Sequence, residues 1–469
     1  MIKFILNNEL IETDVTSGTA MLDFIRKNQQ LKGAKLVCKE GECGACSAMV
    51  GQLVNGKMVY QSMTSCIMPL INANGKHIVT IEGFNMDKLS PVQQAMVDTY
   101  GSQCGYCTPG FVVSMSGYLL SNTELTKEGI IESIDGNICR CTGYKSIERA
   151  ADNILKKAKR DFKIVSISVL AKKGYIPEYF TTIPKRLNAI KIPKTKNSKG
   201  VTLGGGSDLY VQKPWEMYEE NVVAVYDNPA MNKITVKNGV FEFGAALTMG
   251  DMYRSSEFNK AIPNDGQMFK LLSSTQIRNM STIGGNLVNA SPIGDFTCIL
   301  LGLGASIVLN KNGKRRTVAL KEFYKGYKKM DLKKDEILEK VKFKIPTKST
   351  TFHFEKVSQR KYLDIATVNF SSTITLGKSN KMTDIHLAVG GVGPIPMYLH
   401  KTVKFLKNKT MSAETLDDAI VVLNKEITPI SDTRGSAEYK RLVARQLFLA
   451  QFLNLDANIY DVKKLVGAW

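Results

Sequence analysis

Several stretches of the chain show a regular spacing of hydrophobic and polar positions. Ile2, Phe4 and Leu6 place apolar side chains at every second position, and this period of two predicts that the chain opens with a β-strand. Residues 57–60 have a similar strand-like pattern. Apolar positions recur with helical spacing over residues 111–119, and residues 437–453 are also typical of a helix. Strands and helices are therefore both expected, in several successive domains.

The pattern predicts no membrane-spanning segment. The longest nearly apolar run, residues 298–309, is interrupted by Gly302 and Gly304. It is shorter than the roughly 20 residues that a spanning helix requires. The chain also opens with a strand pattern and not with a basic segment followed by a long apolar one, so no export signal is predicted. We expect a cytoplasmic protein with no membrane association.

The composition is that of a globular chain with a strong basic excess. The chain has 469 residues, of which 43% are hydrophobic and 23% are charged, so disorder is excluded as its main state. The net charge of +20 permits anionic partners but does not choose among them. Residues 311–316 and 325–334 are rich in lysine and arginine, and solvated faces are the simplest interpretation of both. No basic motif interleaved with aromatic residues is present, so nucleic-acid binding is not predicted.

Eight of the nine cysteines lie in the first third of the chain. Close pairs of thiols among glycines, in a long chain without an export signal, favour metal ligation over disulfides. The first group is Cys38, Cys43, Cys46 and Cys66, with the spacing of a plant-type [2Fe–2S] site. Glycines in this loop allow the backbone to curl around a cluster and aim amide hydrogens at its sulfurs. Four thiolates also suit zinc, which is the alternative.

The second group is Cys104, Cys107, Cys139 and Cys141, separated by the helical pattern of residues 111–119. Turns at two helix ends would bring the two pairs together. Only one residue separates Cys139 from Cys141, whereas paired zinc ligands normally have two or more between them. A second [2Fe–2S] cluster is therefore predicted. Cys298, alone in an apolar stretch, is expected to be a buried small hydrophobe.

The strings around these cysteines resemble the iron–sulfur domains of the molybdenum hydroxylases, the xanthine dehydrogenase family. The matching strings are CKEGECGAC from Cys38, QCGYCTPG from Gln103 and GNICRCTGY from Gly136. The resemblance implies an α+β multidomain protein that begins with a β-grasp, ferredoxin-like [2Fe–2S] domain at residues 1–84. A helical [2Fe–2S] domain at residues 85–160 would follow. Residues 161–199, basic and interrupted by Pro177, Pro184 and Pro193, are predicted to be an irregular linker.

Two glycine motifs follow the predicted linker. The first, residues 201–209, places Gly204, Gly205 and Gly206 directly after a short apolar strand, where successive backbone amides could cradle a pyrophosphate. It is not the GxGxxG of a dinucleotide-binding βαβ unit. The second, residues 275–286, concentrates small, hydroxyl and amide side chains. A structural turn and a polar loop over the core are the alternatives for the two motifs.

Both motifs resemble the FAD-binding domain of the same family, which has a vanillyl-alcohol-oxidase-type fold. The resemblance implies an FAD-binding domain at residues 200–346 and a C-terminal α+β flavoprotein subdomain at residues 347–469. The implied cofactor-binding residues are Leu203, Gly204, Gly205, Gly206, Ser207, Asp208, Leu209, Leu272, Thr282, Ile283, Gly284, Gly285, Asn286, Asp295 and Lys356. Lys356 is a candidate flavin contact because a lysine can stabilise negative charge on a reduced ring, and a surface lysine is the alternative.

The resemblance also implies a function. Two [2Fe–2S] clusters would carry single electrons from a molybdopterin-binding large subunit to FAD, and FAD would pass them to NAD. No residue of this chain is then needed as a catalytic nucleophile or base. The chain ends before the position of the family's molybdopterin domain, so a split enzyme, assembled as a dimer of heterodimers, is expected. The organic substrate could be xanthine, an aldehyde or another N-heterocycle, and a stand-alone NADH–flavin reductase is the other alternative.

Overall fold

The computed structural model describes residues 1–121, 124–192, 200–263 and 267–460, which form two compact units. Unit 1 comprises residues 1–227, 248–250 and 273–281. Unit 2 comprises residues 228–247, 251–272 and the chain from residue 282 onward. No helix in the described part of the chain has the length and apolar character needed to cross a bilayer.

Both units contain strands and helices. The strands are β1 Ile2–Leu6, β2 Glu9–Thr13, β3 Ser47–Val54, β4 Lys57–Thr64, β5 His77–Val79, β6 Val201–Leu203, β7 Val222–Ala224, β8 Ile234–Lys237, β9 Val240–Gly244, β10 Ser306–Lys311, β11 Lys314–Ala319, β12 Tyr324–Gly326, β13 Lys329–Met330, β14 Ile337–Lys344, β15 Thr350–Val357, β16 Val368–Leu376, β17 Met382–Gly390 and β18 Met397–Tyr398. The α-helices are α1 Met21–Asp23, α2 Pro91–Asp98, α3 Thr108–Leu120, α4 Lys127–Ser133, α5 Lys145–Asp161, α6 Ile167–Lys172, α7 Ile183–Ala189, α8 Leu209–Gln212, α9 Pro214–Glu219, α10 Met249–Arg254, α11 Ser256–Ala261, α12 Gln267–Lys270, α13 Thr275–Arg278, α14 Ile283–Asn289, α15 Asp295–Gly302, α16 His400–Leu406, α17 Ala413–Glu426 and α18 Ala437–Leu453.

Unit 1 begins with a five-stranded sheet in the order β2-β1-β5-β3-β4. Strand β1 pairs antiparallel with β2 and parallel with β5, and β3 pairs antiparallel with β4 and β5. The opening strand has the predicted register, since Phe4 and Leu6 are buried. This mixed sheet, with α1 and its continuation packed on it, confirms the β-grasp prediction.

Helices α2 to α5 form the second part of unit 1. Helix α2 begins at a capping box in which Ser90 and Gln93 bond reciprocally, satisfying backbone amides that no preceding turn can satisfy. Helix α3 is buried from Gly110 to Leu120, so it forms the centre of this part, with α2 and α4 against it and α5 packed on those two helices. The predicted helical period of residues 111–119 is confirmed.

Residues 161–192 differ from the predicted irregular linker, because they contain α6, α7 and a turn of 3₁₀-helix at Glu178–Thr182. Residues 193–199 of that predicted linker lie outside the described residues. The prolines do not prevent the fold, since Pro177 precedes the 3₁₀ turn and Pro184 occupies the first turn of α7, where a missing amide hydrogen costs nothing. Phe180 and other apolar side chains of the segment join the core of the helical part.

This segment also encloses His77 of β5. The imidazole is fully buried, bonded by Nε2 to the Asn7 carbonyl and by Nδ1 to the Tyr60 hydroxyl, each at 2.8 Å. The rings of Tyr179 and Phe180 pack against it. Burial lowers the pKa of His77 from 6.5 to about 3, so the folded protein holds it neutral.

The stability of unit 1 should therefore fall in mild acid. Below pH 6.5 the unfolded chain binds a proton at His77 that the folded chain does not bind until about pH 3. This difference in bound protons lowers the free energy of unfolding by about 1 kcal/mol for each unit by which the pH falls. Thermal unfolding between pH 7 and pH 4 should show a shallower loss of stability for His77→Gln than for the unsubstituted protein. His400→Asn, at an exposed histidine, should keep the original slope, and an unchanged slope for His77→Gln would contradict the assignment.

The short parallel strands β6 and β7 pack in unit 1 and not in unit 2, so the compact units do not follow the predicted boundary at residue 200. Leu203, Tyr210 and Val222 join the same apolar core as Phe4 of the first sheet. Burial of these side chains, and not chain order, determines where the segment packs.

Unit 2 contains two larger sheets. The first has the order β11-β10-β14-β9-β8 and is antiparallel throughout. The second has the order β15-β16-β17-β18, with α16, α17 and α18 forming an apolar core against it. Helix α18 has the predicted bounds, and Cys298 is fully buried within α15, as expected. Residues 461–469 of the predicted C-terminal subdomain, and Asn122 and Thr123 of the predicted helical domain, lie outside the described residues.

The basic stretch at residues 311–316 is largely ion-paired. It forms most of the hairpin β10–β11, in which Arg316 bonds to both Asp331 and Glu336. Arg315 pairs with Glu339 in the same way. Part of the positive charge of this stretch is therefore neutralised within unit 2.

Candidate functional site

The first cysteine group of unit 1 lies on a tight loop that leads into β3. Gly41 and Gly44 have φ of +76° and +65°, a conformation that glycine adopts without steric cost. Cys66 comes from the helical turn Ser65–Ile67 that follows β4, the partner strand of β3. The pairing of these two strands thus brings the fourth cysteine to the loop that carries the other three.

The four thiols of this group contact one another. The sulfurs of Cys38 and Cys43 are 3.3 Å apart, and Cys66 hydrogen-bonds with Cys38 and Cys46. The hydrogen bond from Cys43 lowers the pKa of Cys38 and raises that of Cys43, so the thiolate form is favoured at Cys38. The backbone amide of Glu40 also points at the Cys38 sulfur, at 3.4 Å. Converging thiols with amides aimed at sulfur fit an iron–sulfur cluster.

The second group is assembled from two helix starts, as predicted. Cys107 caps the N-terminus of α3, and Cys139 and Cys141 lie just before α5. The thiols meet across the two segments, Cys107 with Cys139 and Cys104 with Cys141. Burial is the main cause that raises the pKa of Cys107 to about 12. At Cys139 burial acts in the same direction, but hydrogen bonds from Thr142 hold the pKa below its ordinary value.

The contacts link the first group as a chain, Cys43–Cys38–Cys66–Cys46, and the second group as two pairs. Among the described residues, no three His, Cys, Asp or Glu side chains converge as the ligands of one metal ion would. Each group contains buried cysteines, Cys46 and Cys66 in the first and Cys139 in the second. The exposed thiols, Cys104 and Cys141, both belong to the second group.

The first glycine motif and the start of the second meet within unit 1. A Cβ added at Gly205 would lie 1.8 Å from the Met280 carbonyl oxygen, so only glycine permits this approach. The Ser207 and Ser281 hydroxyls are 2.8 Å apart. Asn72 donates a hydrogen bond to the Gly204 carbonyl, a contact that sequence reasoning missed because its only signal was an amide in an apolar segment.

The remainder of the second motif belongs to unit 2. Thr282 caps α14 by accepting a hydrogen bond from the Gly285 amide, and Gly284 packs on Ala245. The Asn286 side chain accepts a hydrogen bond from Thr297. The predicted cofactor residues Leu203, Gly206, Asp208 and Leu209 lie in unit 1, whereas Leu272, Ile283, Asp295 and Lys356 lie in unit 2.

Asp295 and Lys356 form a buried ion pair in unit 2. The Lys356 ammonium is 2.7 Å from Asp295 Oδ2 and also donates to the carbonyls of Leu271 and Asp364. All three of its hydrogens are thus used, so Lys356 is not the solvated surface lysine that was the alternative, and its predicted contact with a flavin stays a prediction. Burial raises the pKa of Asp295 and Lys356 acts against this, while Asn369 donates to the other carboxylate oxygen at 2.6 Å. Asn369, in an apolar strand, is a further polar partner of this buried ion pair, and the sequence analysis missed it.

Three family models match the chain. A [2Fe-2S] binding domain matches residues 80–152, and an FAD binding domain in molybdopterin dehydrogenase matches residues 178–348. A CO dehydrogenase flavoprotein C-terminal domain matches residues 353–455. An iron–sulfur domain joined to a two-part flavin domain defines an iron–sulfur flavoprotein, a class of oxidoreductases.

Curated relatives match nearly the whole chain at low sequence identity. The chain is 27% identical to xanthine dehydrogenase 1 of Arabidopsis thaliana over 97% of this chain and 39% of that protein. It is 28% identical to xanthine dehydrogenase of Dictyostelium discoideum over 98% of this chain and 41% of that protein. Reconstituted CO dehydrogenase from Oligotropha carboxidovorans matches with a TM-score of 0.49 at 25% identity, over 53% of this chain and 87% of that chain.

The matched domains are the iron–sulfur and flavin domains found in molybdenum hydroxylases, and the chain resembles that family along nearly its whole length. The resemblance inferred from the cysteine and glycine motifs is confirmed, as is the α+β multidomain fold. The chain spans about two fifths of the length of these curated relatives.

Proposed function

We propose that this chain is the electron-transfer subunit of a split xanthine dehydrogenase-type molybdenum hydroxylase. It takes electrons from a molybdopterin-binding large subunit and passes them through two [2Fe–2S] clusters to FAD and then to NAD. The observation that carries the proposal is the assembly of eight cysteines into two separate groups of contacting thiols in unit 1. The match of residues 178–348 to an FAD-binding domain supports the flavin step.

Each segment of the chain has a defined task in this proposal. When bound, the clusters supply one-electron steps and FAD supplies the change to a two-electron donor. The eight thiols hold the clusters, and backbone amides such as that of Glu40 stabilise negative charge on sulfur. In unit 1, the glycine motif at residues 203–209 offers backbone amides and hydroxyls that suit a flavin's phosphates.

The surface around the second cysteine group suits an electron-donating partner. Cys104 and Cys141 are exposed, and Tyr100, four residues before Cys104, is 82% exposed. Tyr106 and Tyr144 are also exposed, at 49% and 39%. Exposed aromatic side chains are enriched at protein interfaces, and these three lie within five positions of a cysteine of the second group. We therefore place the large subunit's docking site here.

The remaining parts of the proposal come from the relatives. Xanthine is proposed as the substrate because curated relatives are named xanthine dehydrogenases, and an aldehyde or another N-heterocycle is the alternative. NAD is the proposed acceptor, the cytoplasm the proposed compartment, and a dimer of heterodimers the proposed assembly.

Anaerobic purification with metal and flavin analysis tests the proposal. We expect four irons and one FAD per chain, with NADH reducing both the flavin and the clusters. Xanthine-dependent reduction of NAD should appear only after the large subunit is added. Zinc in place of iron, or a chain without flavin, would overturn electron transfer. Sustained NADH oxidation by the isolated chain would instead indicate a stand-alone flavin reductase.

A further inference from the structure

A buried amide side chain connects the two cysteine groups within unit 1. Asn137, two residues before Cys139, is 4% exposed. Its Nδ2 donates to the carbonyl of Gly44, between Cys43 and Cys46, at 3.0 Å. The next backbone amide, that of Ile138, donates to the Cys43 carbonyl at the same distance. The loops of the two groups are thus joined by one side-chain and one backbone hydrogen bond.

A second amide extends this connection to the flavin motif. Gln276 lies in the predicted motif at residues 275–286 and is fully buried. Its Nε2 donates to Asn137 Oδ1 at 3.1 Å and to the Ser114 hydroxyl at 3.0 Å. Ser114 of α3 in turn donates to the same Asn137 oxygen at 2.8 Å. Asn137, Gln276 and Ser114, here called the amide cluster, therefore connect the two cysteine groups with the start of the motif at residues 275–286.

Glycines allow the backbones to pack closely at the amide cluster. A Cβ on Gly44 would lie 2.4 Å from the Gly136 carbonyl oxygen, and one on Gly110 would lie 2.4 Å from the Gly44 carbonyl oxygen. A Cβ on Gly136 would lie 2.1 Å from Gln276 Oε1. Real side chains do not tolerate such distances, so each glycine permits a spacing that any other residue would widen.

We propose that Asn137 and Gln276 are positioning residues that set the spacing between the two iron–sulfur clusters. The inference rests on the proposed function, because it presumes that both groups hold clusters. Neutral amides suit this role, since they add hydrogen bonds without adding a charge between the two redox centres. Loss of the amide cluster should leave each cysteine group intact and make the distance between the groups variable.

Gln276→Met is the main test variant. Methionine has a length and flexibility similar to those of glutamine. Gln276 Oε1 has no hydrogen-bond partner among the described residues, so the substitution removes only the hydrogen bonds that Nε2 donates. Ser114→Ala is a milder second variant. Ser116→Ala is the matched control, because Ser116 is also buried on α3 but its hydroxyl has no partner in the described part of the chain.

Electron paramagnetic resonance of the fully reduced holoprotein gives the readout, after iron analysis of every variant. The magnetic interaction between the reduced clusters splits and broadens their signals and depends steeply on their separation. We expect Gln276→Met and Ser114→Ala to keep the iron content of the unsubstituted protein but to lose its single well-defined splitting. The Ser116→Ala protein should retain that splitting.

The outcomes separate the two proposals. An unsubstituted protein without two iron–sulfur signals would refute the proposed function. If that protein shows both signals and the Gln276 and Ser114 variants keep the same splitting, only the positioning role is refuted. Loss of iron from Gln276→Met would also refute the positioning role. The Gln276 amide would then be needed to form a cluster site and would not act only on the distance between two clusters.

Discussion

Substituting Cys107 with alanine is expected to remove one cluster and leave the other, so the chain should retain about two of four irons. Cys107 and Cys139, both of the second group, contact each other across two segments. No cysteine of the first group takes part in that contact among the described residues. Cys43→Ala should likewise remove only the first cluster, because its thiol partner is Cys38. Iron per flavin and the paramagnetic signals of the reduced protein measure both results.

The same two variants should lose NADH-linked exchange of electrons with the large subunit, because either break interrupts the relay. Cys298→Ala is the matched control, since this cysteine is buried in the apolar helix α15, and it should keep all iron and all exchange. Full iron in either Cys107→Ala or Cys43→Ala would contradict the ligand assignment. Loss of all iron from both would indicate a single shared site.

Lys356→Met is expected to lower the free energy of unfolding of unit 2 by about 3–5 kcal/mol, the usual cost of leaving one member of a buried ion pair without its partner. The Lys356 side chain is 1% exposed and its ammonium lies 2.7 Å from Asp295. Without Lys356 the Asp295 carboxyl would stay buried, with its pKa raised further by the loss of the positive charge. Flavin retention should fall together with stability, because Asp295 begins α15 in the FAD-binding domain.

A double-substitution cycle tests this expectation by chemical denaturation. Lys356→Met combined with Asp295→Asn should be more stable than Lys356→Met alone, since the unpaired charge is gone. Lys311→Met is the control, because Lys311 pairs with Asp335 at the surface and such pairs contribute about 0–1 kcal/mol. An effect of Lys356→Met no larger than that of Lys311→Met would show that the buried pair contributes little.

Local patterns were sufficient for the features that depend on short stretches of chain. Cysteine spacing predicted two groups of four, and in the folded protein the thiols of each group are in contact. The strand at residues 2–6 and the helix Ala437–Leu453 followed from hydrophobic period. Spacing and period succeed because they specify backbone curvature and one buried face, and neither requires knowledge of a distant partner.

Contacts between distant segments were beyond such patterns. Asn137 and Gln276 are 139 positions apart, and no sequence pattern near either residue predicts their hydrogen bond. No pattern around Lys356 predicted the three acceptors, on other segments, that surround its ammonium. Prolines suggested an irregular linker at residues 161–199, yet burial of Phe180 and its neighbours orders residues 161–192.

The amino-acid sequence alone thus indicated the family resemblance, the two cysteine groups and the glycine motifs, because each depends on the spacing of residues within short strings of the chain. Folding specified which polar side chains are buried together and which charges are paired. Those properties depend on desolvation and on partners brought close by the whole core, and both arise only when the chain is packed.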